Sequence, residues 1–230
     1  MSRTATDELW VARLGQVPYA EAVAIQERLR AARQAGELPD MLLLEHPPVY
    51  TLGRRGDQTD LPMGEDWYRS QGIDVERSDR GGRLTYHGPG QLVGYPIMQV
   101  ADVPAYVRGL EAAMVAALAD EGVPARVRDG LTGVWAGQGK IGAIGIHVSR
   151  GVTTHGFAVN VDNDLQPFQW VVACGGEGTQ VTSLLKETGR TGGMGCFSKR
   201  VAWRVAQQFG RRQRLVSAGR LGLVPEVSAA

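Results

Sequence analysis

Apolar residues recur with helical spacing in two stretches of the chain, residues 18–36 and residues 104–121. Residues three and four apart share a face of a helix, so this spacing predicts two amphipathic helices. The second has the cleaner apolar face, which is formed by Val107, Leu110, Met114 and Leu118. A further helix is predicted over residues 198–212, with Ser198 as its N-cap.

Short apolar runs bounded by glycine or proline predict β-strands. These runs are residues 41–45, 49–52, 84–87, 92–98, 132–136, 140–148 and 153–161. Residues 149–152 fit a hairpin turn between the last two runs. The polar residues 54–70 predict a loop with one short helix, and residues 182–187 predict one or two helical turns.

The interleaving of helices and strands predicts the fold class. We expect an α+β (mixed α/β) fold, a single domain with a mixed, largely antiparallel sheet flanked by helices. No linker is long enough to divide the chain, so this domain is expected to span residues 1–217. Residues 218–230 are expected to form a loose C-terminal tail.

Composition and charge exclude several functional classes. Charged residues make up 21% of the 230 residues and hydrophobic residues 43%, which is ordinary for a globular protein. A net charge of +1 gives no reason to expect attraction to nucleic acid or to a membrane surface. The chain opens without an apolar signal region and contains no 18-residue apolar run, so a membrane span is not expected.

The cysteines indicate the compartment. Cys174 and Cys196 are too few for a disulfide scaffold, and their spacing fits no common zinc site. We therefore expect no metal, and a reducing, cytoplasmic location in which a thiol stays free for chemistry. Cys196 is interpreted as a non-catalytic thiol.

Glycines surround the other cysteine, Cys174. The chain has 31 glycines, and three of them follow this cysteine closely, at positions 175, 176 and 178. Missing side chains give access to the sulfur, and converging backbone N–H groups can stabilise a thiolate or the oxyanion of a tetrahedral intermediate. The segment fits a catalytic nucleophile, although a buried cysteine in a turn would also fit it.

A lysine, Lys140, opens the apolar and glycine-rich run 139–145. A lysine beside a cysteine can accept or return a proton and can stabilise the thiolate. The plainer interpretation is a solvated lysine at a strand end. A phosphate-binding loop is excluded, because its motif needs glycine and serine or threonine where this chain has Val134 and Ile141.

Three histidines lie beside predicted strands. His87 belongs to the glycine-flanked segment 80–91 and could be an acid or a base, whereas His46 is interpreted as structural. His155 and Asn160 could complete a Cys-His-Asn arrangement like that of papain-like proteases. The apolar run between those two residues fits a pocket wall better.

A basic segment lies near the C-terminus. Residues 199–220 include no acid, and their cations are Lys199, Arg200, Arg204, Arg211, Arg212, Arg214 and Arg220. The segment could be a docking face for an acidic partner or simply a solvated helix face.

Four stretches of the chain together resemble the lipoyl(octanoyl) transferase family. They are residues 45–54, 80–97, 133–161 and 173–184, in the order that the family has them. The resemblance implies the α/β fold shared with lipoate and biotin protein ligases. It also implies that octanoyl passes from acyl carrier protein to a catalytic cysteine and then to a lysine of a lipoyl domain, without a cofactor. The implied acceptors are lipoyl domains of 2-oxoacid dehydrogenase E2 subunits and the glycine cleavage H protein.

The resemblance also implies site residues. Cys174 matches the cysteine that carries the acyl group as a thioester, and Lys140 matches the lysine that lowers the pKa of that thiol. The implied substrate-binding residues are Arg80, Gly81, Gly82, Arg83, Leu84, Thr85, Tyr86, His87, Ala143, Ile144, Gly145, Gly156, Phe157 and Ala158. An octanoyl chain needs an apolar pocket, whose walls the runs 141–146 and 157–159 can supply.

Three other functions stay open on the sequence. An ATP-dependent lipoate or biotin ligase would share the fold but would adenylate a free acid and need no nucleophilic cysteine. A carrier-protein chaperone without chemistry would tolerate the loss of Cys174. A papain-like protease would depend on His155.

Overall fold

The computed structural model describes residues 7–38, 40–172 and 180–223, and of residues 40–45 the backbone alone. In chain order the strands are β1 (Glu8–Gln16), β2 (Asp40–Glu45), β3 (Val49–Leu52), β4 (Asp74–Arg77), β5 (Leu84–His87), β6 (Gln91–Ile97), β7 (Ala125–Arg128), β8 (Leu131–Ala136), β9 (Gly139–Ser149), β10 (Val152–Asn160) and β11 (Arg212–Leu215). The α-helices are α1 (Tyr19–Gln34), α2 (Glu65–Ser70), α3 (Val103–Ala119), α4 (Leu184–Thr188) and α5 (Met194–Gln208). Within these described ranges, no helix is long and apolar enough to cross a membrane.

The strands form two sheets. The larger sheet has the order β11-β1-β2-β6-β10-β9-β8-β7, and the smaller one has the order β4-β3-β5. Strand β1 is parallel to β2 and β11, and β3 is parallel to β4, whereas the other pairs are antiparallel. The expected fold class, with a mixed and largely antiparallel sheet flanked by helices, is confirmed.

Helices cover both faces of the larger sheet. Leu92 of β6 packs in one core cluster with Leu110 of α3 and Val201 of α5. Its neighbour Val93 packs in a second cluster with Ala22 of α1. Because successive strand residues point to opposite faces, α3 and α5 lie on one face of the sheet and α1 lies on the other. The smaller sheet has its own core, which includes Tyr50, Leu52, Tyr68, Leu84 and Tyr86.

The hairpin between β9 and β10 is confirmed. Ser149 pairs with Val152 across a two-residue loop. The loop residues Arg150 and Gly151 have φ angles of 46° and 76°. A type I′ turn requires such left-handed conformations at both positions, and this turn matches the twist of the strands that it joins.

The start of the last helix differs from the prediction. Helix α5 begins at Met194 rather than at Ser198. Ser198 lies inside the helix and is buried, and its hydroxyl accepts a hydrogen bond from Arg13. Burial of Phe197 in the core holds this turn helical, although the glycines around it have a low helix propensity.

The described part of the expected tail is packed. Residues 218–221 form a 3-10 helix whose N-cap, Ser217, accepts a hydrogen bond from the backbone N–H of Arg220 at 3.3 Å. Leu221 and Leu223 are only 8% and 6% exposed, and both join the core cluster beside α1. This apolar burial offsets the entropy cost of ordering the segment. Residues 224–230 lie outside the described residues.

Candidate active site

A cavity that we call the inter-sheet cavity lies between the smaller and the larger sheet. It encloses about 480 Å³ counting its mouth. Strand β5 lines one side of it, and β6, β9 and β10 line the other. Of the predicted substrate-binding residues, those that line it are Arg80, Thr85, His87, Ala143, Ile144, Gly145, Gly156, Phe157 and Ala158.

Two further spaces adjoin the inter-sheet cavity. The lateral cavity, about 410 Å³ counting its mouth, is lined by Gln91, Ile141, Gly142, Asn160, Phe168 and Val181, and it shares Thr85, Lys140, Ala143 and Ala158 with the inter-sheet cavity. The open groove, about 1070 Å³ with its solvent-filled mouth, includes Arg55, Gly81, Gly82, Leu131, Thr132 and Trp135 in its lining. Lys140 lines all three spaces, so its side chain stands where they meet.

A β-bulge sets the position of Lys140. Val134 pairs with Gly142 but the next residue, Trp135, pairs with Lys140, so β9 has one extra residue at this point. Bulges of this kind re-aim side chains and are frequent beside active sites. The ammonium of Lys140 lies 5.3 Å from the centre of the Trp135 ring, within the range of a cation–π contact.

Backbone hydrogen bonds join Lys140 to the chain that follows Cys174. The N–H of Lys140 donates to the carbonyl of Gln180 at 2.8 Å, and its carbonyl accepts from the N–H of Thr182 at 3.1 Å. Cys174 itself lies outside the described residues. The chain that precedes Cys174 is also bonded to the fold, because the N–H of Val172 donates to the carbonyl of Asp60 at 3.1 Å.

Alternation along β5 decides which residues of the segment 80–87 reach the inter-sheet cavity. Thr85 and His87 line that cavity, whereas Leu84 and Tyr86 point into the core of the smaller sheet. Since side chains alternate along a strand, a motif of consecutive residues cannot all face one substrate. Leu84 and Tyr86 therefore support the cavity wall from behind.

Arg83 is not among the residues that line the three described spaces. Its guanidinium donates to the buried carboxylate of Asp60, at 2.6 Å from Nη2 and 2.9 Å from Nε to Oδ1. A two-donor geometry of this kind is strong and specific. The pair ties the loop after β3 to the start of β5, which is a structural task.

Arg80 is a buried cation within the cavity wall. It is 6% exposed, and its guanidinium donates to Thr51 Oγ1 at 2.8 Å and to the carbonyl of Gly81 at 2.9 Å. A Cβ atom at Gly145 would lie 2.8 Å from that same carbonyl of Gly81. Gly145 is therefore required for the close approach of the segment 80–82 to β9.

Gly156 serves close strand packing in the same way. A Cβ atom on it would lie 2.2 Å from the carbonyl oxygen of Gly94 and 2.5 Å from Cδ of Pro96. Both neighbours belong to β6, the strand beside β10. The missing side chain therefore lets the two strands pair at the cavity.

His87 is neutral at physiological pH. Its Nδ1 lies 2.7 Å from Gln91 Oε1, and Gln91 uses its amide nitrogen to donate to Asn160 Oδ1 at 2.9 Å. The glutamine oxygen must accept, so His87 donates from Nδ1 and keeps a lone pair on Nε2. Burial lowers the pKa of His87 to about 3.

His46 and His155 also make hydrogen bonds through their ring nitrogens. His46 donates from Nδ1 to the carbonyl of Val17 at 2.7 Å, and its Nε2 accepts from the hydroxyl of Tyr95 at 2.8 Å. His155 donates from Nε2 to Asp79 Oδ1 at 2.6 Å. Burial lowers the pKa of both rings, and for His155 the neighbouring carboxylate opposes that effect. The structural interpretation of His46 agrees with these contacts.

The Cys-His-Asn alternative finds little support in the described part of the chain. Asn160 donates to the carbonyl of Thr182 at 3.0 Å and accepts from Gln91, while the Nε2 atom of His155 is engaged by Asp79. The histidine and the asparagine therefore serve separate networks. A protease triad would need them to act on one nucleophile.

Sequence reasoning missed several residues that line the inter-sheet cavity. Tyr19 comes from the start of α1, and Val93 and Tyr95 come from β6. Val93 and Tyr95 are two positions apart on one strand, so the period of two was the available signal. Tyr19 carried no such signal, because tertiary packing alone brings α1 to this site.

The basic segment near the C-terminus is largely paired within the chain. Arg200 Nε lies 3.0 Å from Glu121 Oε1, and Arg204 makes a two-donor contact with Asp120. Arg212 and Arg214 both contact Glu8. These pairs favour a solvated and internally paired face over a docking face. Cys196, on the same helix, is a free and exposed thiol.

Among the residues that the structure describes, no group of three or more histidine, cysteine, aspartate or glutamate side chains could hold a metal ion. The three spaces are instead lined by apolar side chains, backbone, and a few polar or cationic groups.

The fold is similar to those of solved ligases. A bipartite lipoate protein ligase from Thermoplasma acidophilum, in a structure described with its E2 lipoyl domain, gives a TM-score of 0.72 at 16% identity, covering 96% of this chain and 99% of that one. A biotin protein ligase from Aquifex aeolicus gives a TM-score of 0.51 at 12% identity, covering 88% of this chain and 69% of that one. At such identities the likeness concerns the fold.

Sequence similarity is closer to another group of enzymes. The octanoyltransferase of Solibacter usitatus is 53% identical over 70% of this chain and 76% of its own length. The octanoyltransferase of Rubrobacter xylanophilus is 50% identical over 76% of this chain and 82% of its own length. The family model of the lipoyl protein ligase A/B catalytic domain matches residues 18–206. The chain therefore belongs to the lipoyl protein ligase A/B catalytic-domain family and, within it, to the octanoyltransferases.

Proposed function

We propose that the chain transfers octanoyl through a Cys174 thioester, with Lys140 handling the protons. The observation that carries this proposal is the place of Lys140, at the meeting point of the inter-sheet cavity, the lateral cavity and the open groove. A group at that point can exchange protons with the donor thioester, with the acylated cysteine and with the acceptor amine in turn.

The inter-sheet cavity suits the acyl chain. Ile144, Phe157, Ala158 and Val93 give it apolar walls. Burying the seven or so carbons beyond the carbonyl of an octanoyl group contributes roughly 5 kcal/mol, at ~0.8 kcal/mol per methylene. Such a cavity would bind the chain and would leave its carbonyl towards Lys140.

The proposed chemistry has two balanced steps. The thiolate of Cys174 attacks the donor thioester, and the carrier thiolate that leaves takes a proton from the Lys140 ammonium. The acceptor lysine, as its neutral amine, then attacks the acyl group, gives the one proton that the new amide loses to neutral Lys140, and expels the Cys174 thiolate. A free thiol has a pKa of ~8.5, so a nearby cation raises the thiolate fraction at neutral pH.

The substrate-binding roles of the segment 80–87, of 143–145 and of 156–158 are part of the same proposal. Thr85, Ala143 and Ala158 would contact the acyl chain directly, and Phe157, which packs in the core with Leu110, would support the same wall. Gly81 and Gly82 line the open groove and would face the incoming thioester or amine. Arg83, Leu84 and Tyr86 would act by holding β5 in place.

The proposed partners are octanoyl-acyl carrier protein as donor and lipoyl domains as acceptors. The acceptors would be the E2 subunits of 2-oxoacid dehydrogenases and the glycine cleavage H protein. The lipoate ligase of similar fold that is described with an E2 lipoyl domain supports this choice of acceptor. A reducing cytoplasm, which keeps Cys174 a free thiol, is the proposed location.

Intact mass after brief mixing with octanoyl-acyl carrier protein tests the proposal. We expect a gain of one octanoyl group that hydroxylamine removes, present in the wild type and in Cys196→Ala but absent in Cys174→Ala. Cys196→Ala is the matched control, because this exposed thiol is the chain's second cysteine. If Cys174→Ala still modified a lipoyl domain at the wild-type rate, the thioester route would be wrong. ATP-dependent attachment of free octanoate would indicate a ligase instead.

A further inference from the structure

A carboxylate lies buried behind the strand that faces Lys140. Glu111 of α3 is 1% exposed. Its Oε1 accepts a hydrogen bond from the backbone N–H of Gly133 at 2.8 Å, and its Oε2 accepts one from Arg108 at 2.5 Å. A buried carboxylate costs several kcal/mol unless it is hydrogen-bonded, and these two contacts stabilise Glu111 inside this helix interface.

Gly133, to which Glu111 is bonded, touches the end of the Lys140 side chain. A Cβ atom on Gly133 would lie 2.7 Å from Cε and 3.2 Å from Nζ of Lys140. The lysine therefore rests against bare backbone at this position. The φ angle of Gly133 is 133°, a conformation that residues with a side chain rarely adopt.

The pairing of β8 with β9 does not include Gly133, and the backbone N–H of Gly133 is bonded by a side chain from outside the sheet. Gly133 comes just before the bulge at which Trp135 pairs with Lys140, and the pairing of β8 with β9 starts at Val134. A buried carboxylate on the helix behind the sheet is the partner of its N–H. Glu111 thus bonds the backbone against which the Lys140 side chain lies.

We propose that Glu111 is a positioning residue for Lys140. By fixing the N–H of Gly133, it sets the surface against which the lysine side chain lies, and so the place of the ammonium among the three spaces. It touches neither substrate nor reacting atoms. The proposal rests on the proposed function in one respect, that the location of the Lys140 ammonium matters for octanoyl transfer.

Three substitutions at Glu111 separate its hydrogen bond from its charge. Glu111→Gln keeps an oxygen that can accept from Gly133 but removes the charge. Glu111→Asp keeps the charge but withdraws the oxygen by one methylene. Glu111→Leu loses both. The matched control is Leu118→Val, because Leu118 is also fully buried on α3 and the change costs packing without touching Gly133.

Two readouts are needed, one of which does not involve the reaction. The chain has three lysines, Lys140, Lys186 and Lys199. Trace acetylation with acetic anhydride, read by mass spectrometry, gives the reactivity of Lys140 relative to the other two, which are exposed. The second readout is kcat and KM for octanoyl transfer from octanoyl-acyl carrier protein to a lipoyl domain, corrected for the folded fraction.

We expect Glu111→Asp and Glu111→Leu to change the relative acetylation of Lys140 severalfold. The same variants should lower kcat by roughly tenfold or more with KM little changed, because small displacements of a catalytic group cost large factors in rate. Glu111→Gln and Leu118→Val should stay within about twofold of the wild type in both readouts.

The proposal is overturned if Glu111→Asp behaves like the wild type, or if Leu118→Val shifts Lys140 reactivity as much as the Glu111 variants do. In the second case Glu111 only stabilises the packing of α3 on β8. A changed Lys140 reactivity with unchanged kcat would leave the positioning role standing and would contradict the proposed catalytic role of Lys140 instead.

Discussion

At the scale of single residues, the buried histidine His87 limits which group can handle protons. Its Nδ1 is committed to Gln91, and burial lowers its pKa to about 3. A ring that stays neutral at physiological pH can wall the inter-sheet cavity and accept a hydrogen bond at Nε2. The proton transfers of the proposed mechanism are therefore given to Lys140, which stands at the junction of the three spaces.

The lowered pKa of His87 makes a prediction about stability and pH. An unfolded histidine titrates near ~6.5, above the folded value, so the unfolded state binds the proton first as pH falls. The free energy of unfolding should be unaffected by His87 above about pH 6.5 and should decline from there towards about pH 3. We expect His87→Gln to reduce this slope by up to ~1.4 kcal/mol per pH unit.

Urea unfolding of the wild type and of His87→Gln at several pH values measures the two slopes. The variant lowers absolute stability through its lost hydrogen bond, so the comparison concerns the slope alone. Between pH 7 and 9 both proteins should give the same slope, which serves as the control. Equal slopes between pH 6 and 4.5 would contradict the neutral state of His87.

At the scale of elements, the hairpin between β9 and β10 joins the two strands that carry most of the cavity wall. Arg150 has a φ of 46° and is exposed, with a left-handed backbone that arginine adopts at a cost. Asparagine followed by glycine is the preferred pair for a type I′ turn. We expect Arg150→Asn to raise the free energy of unfolding by about 1 kcal/mol.

Thermal unfolding measures the effect of Arg150→Asn. The control is Arg190→Asn, because Arg190 is an exposed loop residue that is not among those with a positive φ. If both variants changed the melting temperature equally, the turn conformation would not be the source of the gain. Octanoyl transfer should be unchanged in both, since neither residue lines a described cavity.

Elements were predictable from the sequence where apolar spacing encodes burial. Helices α1 and α3 and the central strands carry that spacing, and the structure has them within a few residues of the predicted bounds. Strands β4, β7 and β11 were missed, because they are short and polar and lie at sheet edges, held by backbone pairing. Strand β1 was also missed, although residues 9–12 form a short apolar run, in which Leu9 and Val11 pack in one core cluster and Ala12 packs in the other.

At the scale of the whole molecule, the chain segments that form the site could be predicted, but which of their residues face the cavity could not. The family resemblance pointed to residues 80–87, 143–145 and 156–158, and parts of each line the inter-sheet cavity. Which members face inwards depends on strand period and on packing. The contributions of Tyr19 and Glu111 come from helices that only the tertiary fold brings to the inter-sheet cavity and to β8.

Because the inter-sheet cavity is formed by both sheets together, its depth should set the accepted acyl length. Val93 lines this cavity and not the lateral one, whereas Val181 lines only the lateral cavity. We expect Val93→Phe to shorten the preferred donor from octanoyl towards hexanoyl or butanoyl. Each methylene that no longer fits should cost about 10- to 200-fold in kcat/KM.

Competition among acyl-carrier-protein donors of four to ten carbons measures this preference, with Val181→Phe as the matched control. The control adds the same bulk in the neighbouring space, so it should leave the order of donors unchanged. Val93→Ala should move the preference the other way, towards decanoyl, because it deepens the same wall. If Val181→Phe rather than Val93→Phe reordered the donors, the acyl chain would occupy the lateral cavity, and the inter-sheet cavity would have to receive the thiol or the amine instead.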